Sequence, residues 1–295
     1  MVFLLSVPSV YASLAFNVDL GTASSFGVLA GSTVTNTGPT TIFGDLGVWP
    51  GTAITGFPPG VVSPGMMHGG DTVAMQAQTD LTTAYNFAAG EACGTSLTDQ
   101  DLGGLTLTPG SYCFASSAQL TGTLTLDAQG DPNAVFLFQI GSTLTTASAS
   151  SVVFLNAGQG NTVFWQVGSS ATLGASTSFQ GNILALTSIT LVTGTNIGCG
   201  SALASNGFVT MDTNVVGPAG CETTSGTVTP EPSTASLLLL VGAPGLLIMS
   251  LLRERQRGHV GMEGGPYASE SSQYARSLTL AEVPKPRTHR AQGVR

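Results

Sequence analysis

The chain has 295 residues, with 16 acidic and eight basic side chains, a formal charge of −8, and only 8% charged residues. All eight Lys and Arg lie at or after Arg253, so residues 1–252 hold twelve acids and no cation, whereas the tail is basic. Without a cation this body cannot hold phosphate backbones by counterion release or bind an anionic membrane surface, which excludes nucleic acid as a partner.

In chain order, residues 1–15, MVFLLSVPSVYASLA, are apolar and end in small residues. They read as a signal peptide, shortened at its start because no basic residue precedes the apolar run, with a cut after Ala12 or Ala15. The other reading is a first strand of the domain. Residues 16–222 form the expected domain, a series of short Val-, Ile-, Leu- and Phe-containing runs separated by Gly, Asn, Asp and Pro, too regular for a disordered segment.

One segment departs from this rhythm. Ala74, Ala77, Leu81, Ala84, Tyr85 and Ala88 recur at three- to four-residue spacing, which predicts a helix over Asp71–Ala89. Asp71 is its expected N-cap and Gly90 its C′ residue. A face made mostly of Ala packs closely, so the helix is expected to lie along a wall of the domain.

The body carries few groups suited to catalysis. His68 is its one histidine, with no Ser-His-Asp spacing around it, and reads as a loop residue before the helix. Asp99/Asp101 and Asp127/Asp131 are its close acid pairs; both read as turn chemistry, not as the positioned carboxylates of a glycosidase. A weak calcium site at the second pair is the alternative weighed. A polysaccharide lyase would need an Arg or Lys base, which the body lacks. Trp49 and Trp165 read as packing residues rather than a sugar platform. No catalytic residue, metal or cofactor is expected, and the chain reads as a non-enzyme.

Cys93, Cys113, Cys199 and Cys221 include no Cys-x-x-Cys pair or Cys/His cluster, so they read as disulfides. Of three possible connectivities the sequence-local one is taken, Cys93–Cys113 and Cys199–Cys221.

The later runs repeat. Thr143-Leu144-Thr145-Thr146 aligns with Thr172-Leu173-Gly174-Ala175, then with Thr190-Leu191-Val192-Thr193 and Thr210-Met211-Asp212-Thr213, at offsets of 29, 18 and 20 residues. Coils of that length suit a three-faced parallel β-helix. Leu144, Leu173, Leu191 and Met211 are expected to point inward, and the residues two and four positions on to face outward.

Beyond the domain, a linker at 223–234 contains Pro230-Glu231-Pro232. An apolar run at 235–252 is long enough to span a bilayer, and Arg253, Arg255 and Arg257 would hold the polar, disordered tail, 253–295, in the cytoplasm. The plain reading is a single-pass anchor. The tripeptide, span and basic cluster, in that order, also resemble the PEP-CTERM sorting signal. That resemblance implies an exosortase-type processing enzyme as partner, a transient inner-membrane anchor, and an exported body held at the cell surface or released, with exopolysaccharide matrix as a further partner. The long tail after Arg257 departs from the usual pattern of such signals.

A second resemblance covers most of the body. AGSTVTNTGPTTIFGDLGVWPGTAITGFPPG, QAQTDLTTAYNFAAG, DLGGLTLTPGSYCF, LTGTLTLDAQGDPNAVFLFQIGSTLTTAS, NTVFWQVGSSATLG and FQGNILALTSITL, in this order across residues 22–216, resemble the bacterial and fungal ice-binding protein family. The resemblance implies an all-β fold: a right-handed, discontinuous parallel β-helix (β-solenoid) with one long α-helix alongside, in which the coil near residues 24–57 stacks out of chain order on the later coils. It also implies an ice crystal surface as partner and antifreeze-type inhibition of ice growth or recrystallisation. On a β-helix grid a Thr presents one methyl and one hydroxyl to an ordered water layer, and affinity comes from many such contacts made together.

The ladder expected to form that face is Thr146, Ser148, Ala175, Thr177, Thr193, Thr195 and Thr213; Thr193-Gly194-Thr195-Asn196 resembles a Thr-small-x-Asn motif of ice faces in the family. The plainer reading is that Thr and Ser only solubilise the strands. A surface adhesin or matrix protein without ice activity is the alternative function, with carbohydrate binding a weaker third.

Overall fold

The computed structural model describes residues 18–217 apart from Gln159. The expected signal peptide, Cys221, Pro230, Glu231, Pro232, the apolar run 235–252 and the tail with Arg253, Arg255 and Arg257 lie outside the described residues.

Twenty-four short strands form three sheets in which every registered pairing is parallel. The chain visits the three sheets in turn, so each circuit is one coil of a three-sided solenoid. Face A runs Thr95–Ser96, Gly110–Phe114, Val135–Ile140, Thr162–Val167, Asn182–Ala185, Ala202–Ala204, Phe26–Ala30, Asp45–Val48, Met67–Gly69. Face B runs Ala118–Leu120, Leu144–Thr146, Ala171–Leu173, Ile189–Leu191, Val209–Met211, Thr33–Asn36, Ala53–Thr55. Face C runs Thr106–Leu107, Thr123–Asp127, Ser151–Leu155, Ser178–Gln180, Asn196–Gly198, Val215–Gly217, Thr41–Ile42, Val61–Val62. On each face the strands from residues 26–69 follow the strand from residues 202–217. The junction is registered by Val28↔Ala202, Thr35↔Thr210 and Thr41↔Val215.

The interior is apolar and aromatic. Trp165 is fully buried, its ring stacked 4.0 Å from Phe138, which in turn stacks on Tyr112 at 5.4 Å. The indole N–H donates to Gln180 O at 2.9 Å, so the one polar atom of this side chain is satisfied. Trp165 is thus a packing residue.

The helix spans Thr72–Gly90, so Gly90 is its last residue and not the residue beyond it. It continues to Gly90 because no φ reversal occurs there: Glu91 follows in extended backbone. Asp71 caps the start, accepting from Val73 N at 3.1 Å and Ala74 N at 2.9 Å. All six residues of the expected face are buried, joined by Gln78. Ala77, Leu81, Ala84, Tyr85 and Ala88 pack on outward-facing Phe26, Leu29, Leu137, Phe164, Leu184 and Leu203 of face A. Face A is therefore buried on both sides, and its longer strands read as near-continuous apolar runs such as VFLFQI. Faces B and C are open and alternate. His68 is not a loop residue: it lies in strand Met67–Gly69, buried beside Phe26, with Nδ1 2.8 Å from Asp71 Oδ2. A helix cap partner and an apolar ring neighbour hold it there.

Cys93 and Cys113 form a disulfide across 20 residues, tying the segment after the helix to face A. Cys199 is also disulfide-bonded. The acids serve turns: Asp101 accepts from Gly103 N at 2.7 Å, Asp127 from Gln129 N at 2.9 Å, and Asp131 from Asn133 N at 2.9 Å.

Two predictions follow from this packing. Truncating Trp165 to Ala should cost about 3–5 kcal/mol, read as a lower urea midpoint, because its ring fills the centre of a stacked column. The second concerns acid. Ala74 N–H and His68 hold the Asp71 carboxyl below its ordinary range, and the Thr22 hydroxyl and N–H do so for Asp80. A depressed folded-state pKa stabilises above the unfolded value and is lost as pH falls through the folded one. The melting temperature should hold between neutral pH and about pH 5 and drop below about pH 4, with a smaller acid drop in Asp80→Asn.

Candidate functional site

With the helix covering face A, a large planar contact has to use face B or face C. Face C is less regular. Its strands Ser151–Leu155 and Ser178–Gln180 share the single registered pair Ser151↔Ser178, and it exposes Val61, Val153, Leu155 and Val215.

Face B is continuous. In the five strands from Ala118–Leu120 to Val209–Met211 the first and last residues point inward and the middle one outward, as Leu144-Thr145-Thr146 and Ala171-Thr172-Leu173 illustrate; in Ala53–Thr55 the middle residue, Ile54, packs on the core and Thr55 faces outward. The outward column is Gln119, Thr145, Thr172, Thr190, Thr210, Thr35 and Thr55, each in register with the next. Six threonines stand in an unbroken line, ~4.7–4.9 Å apart from coil to coil. Beside them, one step before each strand, Ser117, Thr143 and Ser170 make a second column of small hydroxyl side chains; Ser188, next in line, is buried and accepts from Phe208 N at 3.2 Å. Ser117 and Thr143 hydroxyls meet at 2.8 Å. Two charged side chains border face B among the described residues: Asp212, and Asp101, which is bridged to Gln119 at the opposite end of the column.

The seven residues expected to form the ladder lie elsewhere. Thr146, Thr177 and Thr195 are buried, at 3%, 0% and 0% exposure, and cannot meet a surface outside the molecule. The reason is parity: along a strand the residue two positions beyond an inward residue also points inward. Thr146 therefore faces the core like Leu144. Thr177 and Thr195 sit at the corner between faces B and C, where the turn interrupts the backbone ladder and leaves carbonyls without strand partners. Thr177 Oγ1 donates to Ala147 O at 3.3 Å and Thr195 Oγ1 to Gly174 O at 3.0 Å. Ser150 adds a second donor to Leu120 O, which also accepts from Ala147 N, and Asn214 donates to Val192 O. Thr146 and Thr177 hydroxyls also meet at 2.9 Å.

Ser148, Ala175, Thr193 and Thr213 occupy the corner turns, outside the strands of face B. These turns place Ala149, Ser176, Gly194 and Thr213 at positive φ. The Thr193-Gly194-Thr195-Asn196 motif is thus one corner turn, with Gly194 at the left-handed position and Thr195 bonded inward. The hydroxyls of Thr193 and Thr213 donate to the Asp212 carboxylate, and these bonds, Thr193's the largest, hold its pKa below the ordinary range.

The outward threonines were within the aligned repeat. Thr172, Thr190 and Thr210 head three of its four segments. The fourth was misaligned by two residues: Thr145, not Thr143, pairs with Thr172, an offset of 27 and not 29. Strict alternation from each buried Leu would have found the column. Thr35 and Thr55 carry no such signal, because they join it only through the stacking of the 26–69 segment on the 202–217 segment.

Residues 28–217 match the profile of the family described as Ice-binding-like. The chain is 60% identical over 239 residues to the ice-binding protein of Nostoc sp. (strain HG1), covering 80% of this chain and 88% of that one. It is 32% identical over 222 residues to the ice-binding protein of Colwellia sp, covering 70% and 86%. Among solved structures, an ice binding protein from an Antarctic biological consortium superposes with a TM-score of 0.65 at 45% identity, covering 73% of this chain and 95% of that one. The ice-binding protein of the Antarctic ascomycete Antarctomyces psychrotrophicus gives 0.63 at 41% identity, covering 67% and 96%.

The parity of face B can be tested by stability alone. Thr146→Val removes the hydroxyl that accepts from Gly174 N at 2.9 Å and pairs with Thr177, and should cost about 1–3 kcal/mol. Thr145→Val, on the outer surface one residue earlier, should stay within about 0.5 kcal/mol of wild type. Chemical denaturation of the two variants checks the order.

Proposed function

We propose that this chain, which belongs to the Ice-binding-like family by the match over residues 28–217, adsorbs to ice through face B and so inhibits ice growth or recrystallisation. The observation that carries the proposal is the in-register column of Thr145, Thr172, Thr190, Thr210, Thr35 and Thr55 on an uncovered sheet. Each threonine offers a methyl group, worth about 0.8 kcal/mol when removed from water, and a hydroxyl that can join an ordered water layer. Hydrogen-bonded strands fix the array before contact, so adsorption orders few side chains. The relatives are ice-binding proteins, a non-catalytic family, and the chain is not an enzyme. Adsorption needs no cofactor.

The finer architecture proposed is a right-handed, discontinuous solenoid; the junction pairs Val28↔Ala202, Thr35↔Thr210 and Thr41↔Val215 support the discontinuity. We further propose export. Disulfide-bonded Cys93, Cys113 and Cys199 suit an oxidising compartment. Residues 1–15 supply a signal-like stretch, and Pro230-Glu231-Pro232, the 235–252 run and Arg253, Arg255 and Arg257 supply a sorting signal for an exosortase-type enzyme. The surface-held or released domain would then share its surroundings with exopolysaccharide matrix.

Recrystallisation inhibition by the full-length chain tests the function. Wild type should inhibit at micromolar concentration. Thr172→Tyr and Thr190→Tyr, which raise a ring from the centre of the array, should weaken it at least about tenfold, because contacts engaged together are lost together. Ser178→Tyr on face C should leave it unchanged. Wild type without effect on ice, or equal loss in the face C variant, would overturn the assignment.

A further inference from the structure

Away from its Gln119 edge, face B is interrupted at one coil. From the Ala118–Leu120 end, four successive coils present small or slender outward side chains: Gln119, Thr145, Thr172 and Thr190 in the central column, with Ser and Thr on one side and Thr121, Ala147, Gly174 and Val192 on the other. On the fifth coil Thr210 keeps the column, but its two outward neighbours differ. Phe208 stands where the preceding coils carry Ser188 and Ser170, and is 43% exposed. Asp212 stands at the other edge, beyond inward Met211. The array then resumes for two coils with Thr33, Thr35 and Thr37, then Ala53 and Thr55.

This coil is the one against which the 26–69 segment stacks: Gly31 N and Ser32 N both donate to Gly207 O, at 3.0 and 2.9 Å. The irregular side chains thus mark the junction in the solenoid. The stacking rests chiefly on these backbone bonds and on the registered strand pairs. The Phe208 side chain is partly covered and partly in water. The Asp212 carboxylate accepts from Thr193 and Thr213 hydroxyls at the corner and also engages the Thr37 hydroxyl of the stacked segment.

We infer that Phe208 and Asp212 divide face B into a four-coil and a two-coil contact surface, and that this division limits the strength with which the chain holds ice. The inference rests on face B being the ice-binding surface. A phenyl ring next to a threonine column projects beyond the methyl and hydroxyl groups. A rigid plane resting on the four-coil side is therefore held off the two-coil side. A carboxylate at the same level keeps its own hydration, and taking it out of water without a cation is costly. The described residues contain no Lys or Arg to neutralise it. Contacts that cannot engage one plane together do not add, so Thr35 and Thr55 contribute little to a surface already held by Thr145, Thr172 and Thr190.

The test is gain of function. Phe208→Thr, Asp212→Asn and the double variant are made in the full-length chain and compared with wild type by recrystallisation-inhibition endpoint and thermal hysteresis. A thermal melt of each checks its fold. Asn keeps an acceptor for Thr193 and Thr213 while removing the charge. The double variant should inhibit at a concentration about tenfold lower than wild type, with Phe208→Thr supplying most of the change. Phe87→Thr, which removes an equally exposed ring from the helix, should have no effect. In the double-variant background, Thr35→Tyr should cancel the gain. An active wild type with a folded double variant of equal or lower activity would overturn the inference and leave the function of face B standing. Inactivity of wild type and variants alike would overturn the functional assignment, and the inference with it.

Discussion

The in-register parallel ladder between coils governs the rest of this molecule. Each strand contributes only two to six residues, too few to hold a position alone, but each pairs with a neighbour, and all but those at the sheet ends with two, which fix its spacing and its side-chain parity. Once Leu144 is committed to the core, Thr145 is committed to the surface, and so is every residue paired with it along the sheet. Cores and contact surfaces of this kind are specified together: the apolar columns that bury Leu173, Leu191 and Met211 aim the threonines between them.

The corners complete the argument. A three-sided coil has to turn, and each turn leaves backbone carbonyls outside the ladder. Thr177, Thr195 and Asn214 donate to these carbonyls from within the corner between faces B and C, and Ser150 adds a second donor to Leu120 O, which also accepts from Ala147 N. Hydroxyl side chains therefore have two unrelated uses in this chain. In strands they form the outer array; in turns they satisfy buried acceptors. Composition alone does not distinguish the two.

This dual use explains which parts of the structure were legible in the sequence. The helix was, from its alanine face and the cap at Asp71, because 3.6-residue periodicity and capping are local. The solenoid was, because apolar residues recurred at coil length and the motifs resembled a known family. The turns around Asp101, Asp127 and Asp131 were as well. The binding column was not. Its positions depend on counting alternation from a buried residue, and at Thr146, Thr177 and Thr195 a two-residue step from an apolar position, or a turn, leads back inside. Thr35 and Thr55 were beyond any local reading: they reach the column through pairing with Thr210, far along the chain. His68 failed for a similar reason, since its burial depends on Phe26 from a distant strand.

The stacking of residues 26–69 on residues 202–217 also bears on how the chain acquires its structure. Val28 pairs with Ala202 and Thr41 with Val215, so the strands made first have partners that are made last. Local contacts close quickly, whereas pairing across such a separation must first overcome the entropy of a long loop. During vectorial synthesis the middle coils can accumulate one on another, while the opening segment has only its own short strands and the helix to rest on. The finished solenoid therefore depends on its final coil arriving. A chain cut short before residue 202 would lack the platform for its own beginning, and would present the open edges of Ile183 and Phe26 strands as templates for other chains.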